Sequence, residues 1–152
     1  MRLLDLLTLE RIRVNVKAKD WKDAIRNVGE LMVKTQCVEE RYIDAMIKVA
    51  ESLGPYIVIV PGVAFPHARP EDGVISPCFA LITLEEPINF GNPQNDPVKL
   101  VIGFAAIDNE QHLEALKELS EILSNDDLVK KIIQAKEERE IFEIIKQFNG
   151  VN

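Results

Sequence analysis

Apolar and polar positions alternate over residues 11–16, with Ile12, Val14 and Val16 set between Arg11, Arg13 and Asn15. A period of two is the mark of a strand with one buried face. The period then lengthens, and Trp21, Ala24, Ile25, Val28, Leu31 and Met32 recur at three- and four-residue steps behind Asp20, a residue suited to capping a helix. This predicts an amphipathic helix over 20–35. Tyr42, Ile43, Met46, Ile47 and Ala50 repeat the pattern from Glu39 until Gly54-Pro55 stops it, because proline lacks an amide donor and biases its predecessor away from helix.

Residues 56–60 form an unbroken apolar, mostly β-branched run, which reads as a central strand buried on both faces. Further strands are expected over 78–84 and 98–107, with a polar, proline-rich loop over 85–97 between them. After Asp108-Asn109 the spacing becomes helical again, and Asn125-Asp126 and the charged stretch around Lys136-Glu137 divide it into three short helices. The predicted order is strand, two helices, three strands, three helices. That order describes an α/β fold over 1–152 as one domain, a single sheet covered by helices on both faces in a three-layer α/β/α sandwich.

Charge narrows the partners. The chain of 152 residues carries 18 Lys and Arg against 25 Asp and Glu, a net charge of −7, and only residues 1–50 are net basic. An acidic surface repels nucleic acid and anionic lipid and attracts a basic protein. No apolar run approaches the roughly 18 residues that span a bilayer, and Asp5 interrupts the opening apolar stretch before a secretory core forms, so a cytoplasmic location with no membrane insertion is expected. Cys37 and Cys78 have no metal-site or CxxC spacing, and both are expected to be free thiols in a reducing compartment.

Histidine is scarce, and both copies sit in settings that suit anion chemistry. His67 follows a strand in the run Pro61-Gly62-Val63-Ala64-Phe65-Pro66-His67-Ala68-Arg69-Pro70, where prolines and a glycine stiffen the backbone. A rigid loop at a strand end commonly carries a reactive side chain, although an ordinary turn histidine fits the same pattern. Arg69 lies two residues on, on the same side of an extended segment, and a guanidinium beside an imidazole favours an anion such as phosphate over a metal cation. His112 falls in the first turn of a predicted helix, where free amides and the helix dipole attract anions, and where a partly exposed helix histidine is the plainer reading. No zinc spacing, glycine-rich nucleotide loop or GxSxG serine motif is present, and Glu71-Asp72 reads as a solvated turn.

The segment 54–74 as a whole resembles the active-site stretch of enzyme IIA components of the bacterial phosphoenolpyruvate-dependent sugar phosphotransferase system. Within the fructose and mannitol type it is most similar to the ascorbate-like branch. Residues 87–91, 96–101 and 112–116 carry the likeness further. The resemblance implies a mixed sheet between helical layers. It implies that His67 accepts phosphate at Nε2 from a histidine phosphocarrier protein and passes it to a cysteine of a cognate enzyme IIB, ahead of a membrane enzyme IIC that selects the sugar. His112 matches the second active-site histidine that supports the phosphoryl group, and Arg69 becomes the candidate charge stabiliser, because Glu51 stands where several mannitol-type members have an arginine sixteen residues before the reactive histidine. No metal or other cofactor is implied. A regulatory phosphohistidine module, of the nitrogen-related enzyme IIA kind, is the alternative use of the same chemistry. Val63 and Phe65 are candidates for the centre of a docking contact, with core packing as the competing role.

Overall fold

The computed structural model describes residues 2–108 and 112–150. A one-turn helix α1 (Leu3–Leu6) precedes β1 (Ile12–Val16), α2 (Trp21–Lys34) and α3 (Arg41–Leu53). Then come β2 (Val58–Val60), β3 (Val63–Ala64), β4 (Cys78–Ile88) and β5 (Val98–Ala105), followed by α4 (Leu113–Leu123), α5 (Asp126–Gln134) and α6 (Glu138–Gly150). The predicted opening of the third helix, just after Asp108-Asn109, falls at residues 109–111, outside the described residues.

Local signals account for the helix ends. The Asp20 carboxylate accepts from the Asp23 amide at 2.8 Å and opens α2, and the Asn125 side chain accepts from the Leu128 amide at 3.2 Å and opens α5. Gly54 takes φ +71° and stops α3, a conformation that glycine adopts without penalty. Helices α2 and α3 pack closely because Gly29 has no side chain: a Cβ there would lie 2.7 Å from Ile43 Cγ1.

The five strands form one mixed sheet in the order β1-β4-β5-β3-β2. β1 runs parallel to β4, β4 antiparallel to β5, β3 parallel to β5, and β2 antiparallel to β3. Helices α2 and α3 cover one face through Ile25, Met32, Tyr42 and Met46, and α1 and α4–α6 cover the other through Leu3, Leu119, Ile132 and Ile141. Strand β4 alternates between the two cores, Ala80 and Ile82 toward the first and Phe79 and Leu81 toward the second. The expected three-layer sandwich is therefore present.

Four expectations need correcting. The apolar run 56–60 is no central strand: Gly54–Ile57 is a 3-10 turn, and only Val58–Val60 pairs, as the sheet edge. Tyr56 is 80% exposed and Ile59 45%, so the run splits between core and surface instead of burying both faces. Among the described residues four strands, not three, follow the first two long helices, because Gly62, at φ +79°, turns the chain back into the two-residue strand β3. The loop over 85–97 also starts later than expected, since β4 continues to Ile88.

The fourth correction concerns the cysteines, which are joined in a disulfide with their Cα atoms 6.3 Å apart. Cys37 follows α2 and Cys78 begins β4. The Ile75 and Ser76 amides donate to the Cys37 carbonyl at 2.9 and 3.1 Å, and this pairing lays residue 37 alongside the approach to β4. Both sulfurs are fully buried. The crosslink closes a loop containing α3, β2, β3 and His67.

Candidate active site

The chain from β3 into the following loop is fixed residue by residue. The Phe65 amide donates to the Ile57 carbonyl at 2.7 Å, and Pro66, buried and without a donor, accepts from the Phe104 amide at 3.1 Å. His67 then forms a single parallel bridge with Phe104 near the end of β5. The next amide, of Ala68, donates to the Tyr42 hydroxyl at 2.9 Å. His67 thus sits where the sheet ends, with its backbone tied on both sides and its side chain half-buried.

The imidazole is oriented as well as placed. Nδ1 of His67 lies 2.9 Å from the Phe65 carbonyl oxygen. A carbonyl oxygen only accepts, so Nδ1 carries the proton and Nε2 keeps its lone pair. The ring rests on Phe65 at a centroid distance of 5.5 Å, and Phe65 stacks on Phe104 at 5.5 Å and 17°. Phe79 completes the cluster from β4, 4.8 Å from Phe104.

His112 reaches the same cluster from the other direction. It holds the position just before the first turn of α4, one residue earlier than the sequence reading, and its carbonyl accepts from the Leu116 amide at 2.9 Å. The side chain is 5% exposed and its ring lies 5.1 Å from that of Phe104. His112 Nδ1 is buried and has no hydrogen-bond partner among the described residues. Burial without a partner is costly for a polar atom, and a side chain held that way needs an offsetting use. Both imidazoles therefore stand on one aromatic platform, Phe65 under one and Phe104 under the other.

Arg69 is arranged differently. Its side chain is 72% exposed, with Nε 3.5 Å from the Asp72 carboxylate, and it lines a groove with Arg41, Asp44, Lys48 and Ser52 on α3. Asp72 also accepts from the Arg69 amide at 3.0 Å, and that bond above all holds its carboxyl below the usual carboxylate range. Glu51 lies on α3 and pairs with Lys22 at 3.3 Å. Val63 is wholly buried, which removes it from any docking contact, whereas Phe65 spans the core and an apolar groove with Ile59, Leu116 and Leu119. Two apolar side chains that the sequence did not mark as surface, Ile107 and Leu113, are 47% and 60% exposed.

Tyr42 was also missed. Its ring is fully buried, while its hydroxyl touches the His67 loop and β5, and burial pushes the phenol up to about 12. At helical spacing it reads as one more core position, and nothing in the sequence distinguishes it. Among the described residues no three His, Cys, Asp or Glu side chains gather as metal ligands, and no helix is long and apolar enough to cross a membrane.

Residues 5–148 match the family model described as phosphoenolpyruvate-dependent sugar phosphotransferase system, EIIA 2. The ascorbate-specific PTS system EIIA component of Shigella boydii is 35% identical over 152 residues, which cover 99% of each chain. Among solved structures, the mannitol-specific cryptic phosphotransferase enzyme IIA CmtB from Escherichia coli is 36% identical with a TM-score of 0.85, over 97% of this chain and 99% of that one. The complex of enzyme IIA and phosphorylated enzyme IIB of the Escherichia coli mannitol system matches at 29% identity and a TM-score of 0.80, over 93% of this chain and 99% of the matched chain.

Proposed function

This chain belongs to the EIIA 2 family of the phosphoenolpyruvate-dependent sugar phosphotransferase system, a family of phosphoryl-relay proteins, and on that premise we propose that His67 Nε2 is its phosphoryl acceptor. The observation that carries the assignment is the hydrogen bond from Nδ1 to the Phe65 carbonyl, which leaves Nε2 as the nucleophilic nitrogen. In the first step the Nε2 lone pair attacks the phosphorus of a phosphohistidine on the phosphocarrier protein. The new N–P bond forms as the donor's N–P bond breaks, and the leaving pair stays on the donor's nitrogen. The His67 ring gains positive character, and the Phe65 carbonyl, already accepting from Nδ1–H, stabilises it by a charge-assisted hydrogen bond.

In the second step a cysteine thiolate on a cognate enzyme IIB takes the phosphoryl group and the pair returns to Nε2. The likeness to a chain solved with phosphorylated enzyme IIB supports this acceptor. Phosphoryl transfer needs positioning and charge stabilisation more than covalent machinery, which suits a site of two imidazoles on a rigid platform. His112 steadies the phosphoryl oxygens, and the exposed guanidinium of Arg69 offers further positive charge. The chain acts in the cytoplasm as one domain, ahead of a membrane enzyme IIC, in the uptake of a sugar of the ascorbate class named for its relatives. The test is a reconstituted relay of phosphoenolpyruvate, enzyme I, phosphocarrier and this chain. Intact-mass analysis should show a gain of one phosphoryl group, lost in His67→Ala; no gain in the wild-type chain would overturn the proposal.

A further inference from the structure

Parallel strands share two hydrogen bonds at each bridge, one on either side of the bridged residue. At the His67–Phe104 bridge the first runs from the Phe104 amide to the Pro66 carbonyl at 3.1 Å. The second would join the Ala68 amide to the Phe104 carbonyl. The Tyr42 hydroxyl is inserted there: it accepts from the Ala68 amide at 2.9 Å and donates to the Phe104 carbonyl at 2.7 Å. Its oxygen also lies 3.3 Å from the Ala68 carbonyl, but the single phenolic proton belongs to the shorter contact.

We propose that Tyr42 is a positioning residue for phosphoryl transfer, its hydroxyl splicing the rung of the sheet that follows His67 and so setting the loop and the direction of Nε2. This rests on the reading of His67 as acceptor. The hydroxyl is donor and acceptor at once, so it holds an amide and a carbonyl that are set apart by one oxygen. The loop after His67 is thereby tied to β5 through the hydroxyl, while the loop before it, at Pro66, is tied by a direct hydrogen bond. The His67 backbone is held between these two ties, and its ring reaches back to the Phe65 carbonyl at 2.9 Å. Burial keeps the phenol protonated well beyond neutral pH, so the donor is present whenever the relay operates. The ring is fully buried in the core on the α2–α3 side of the sheet, which makes the hydroxyl a fixed post.

Tyr42→Phe keeps the packed ring and removes the post. Long-range nitrogen–proton NMR on the unphosphorylated full chain reads the His67 tautomer. The wild type should show Nδ1–H alone, and the variant a mixture of tautomers. Single-turnover transfer from the phosphocarrier should slow about tenfold at saturating donor, with the donor concentration for half-maximal rate unchanged. One tautomer and an unchanged rate in folded Tyr42→Phe, even with a lower melting temperature, would overturn the proposal and leave Tyr42 a core tyrosine. Should the variant not fold, amide exchange in the wild type decides. Protection of the Ala68 amide comparable to that of β5 supports the post, and exchange at the rate of an open loop overturns it. Failure of wild-type His67 to take phosphate would remove the relay reading, while the tautomer comparison would still report on Tyr42.

Discussion

Replacing His112 separates support of the phosphoryl group from carriage of it. Nδ1 of His112 is buried and unpartnered among the described residues, so Nε2 is the nitrogen that can reach a ligand. A hydrogen bond to a charged phosphoryl oxygen is worth about 1.5–3 kcal/mol. If the bond is made mainly in the transition state, its loss slows transfer by roughly ten- to a hundredfold. The ring also packs at 5.1 Å on Phe104, and removing an aromatic contact of this kind costs about 1 kcal/mol of stability beyond the lost burial. His112→Ala should fold with a lowered melting temperature, still accept phosphate, and do so more slowly. His112→Gln, whose amide nitrogen reaches toward the place of Nε2, should recover part of the rate. Rapid-quench single turnover between phosphocarrier and this chain measures both. A wild-type rate in His112→Ala would make the residue structural, and a folded variant that takes no phosphate at all would make it essential.

Three further outcomes follow from charge and covalent structure. With a net charge of −7, association with a basic phosphocarrier should slow steeply as salt is added while the saturated transfer rate stays put, and an association rate insensitive to ionic strength would contradict this. The Asp72 carboxyl is held below its ordinary value of 3.8, chiefly by the Arg69 amide; its bond therefore supports the 69–73 turn at neutral pH and is lost as pH falls through the lowered value. Carboxyl NMR should give a midpoint under 3.8 with a matching change at the Arg69 amide, and a midpoint at or above 3.8 would refute the cause given. Reduction of Cys37–Cys78, which spans 41 residues, should lower stability by up to about 4 kcal/mol on the chain-entropy model, read as a fall in the denaturation midpoint; an unchanged midpoint under reductant would contradict it.

The elements legible in the sequence were those with a signal written locally. Asp20 before a three- and four-residue apolar period was enough for α2, and the apolar runs of β4 and β5 were enough for the buried centre of the sheet. The run 56–60 misled because an apolar stretch looks the same whether it is buried on two faces or divided between a 3-10 turn and an edge strand. Strand β3 has two residues and exists only because Gly62 turns the chain against β5, which no periodicity can register. The cysteine pair is made by the approach of residue 37 to residues 74–78, a tertiary event with no spacing signature. At the site the asymmetry is the same. His67 stood out because prolines and a glycine surround it, and His112 because it precedes a helix. Tyr42 did not, because its hydroxyl acts on backbone atoms distant in sequence.

The measurement closest to the central claim is the identity of the phosphorylated atom. After the wild-type chain has been loaded through the relay, phosphorus and nitrogen NMR should find one phosphoryl group on Nε2 of His67, labile in acid and stable in base, with Nδ1 still protonated. Undiminished labelling of His67→Ala, or phosphate on Nδ1 of the wild type, would contradict the account.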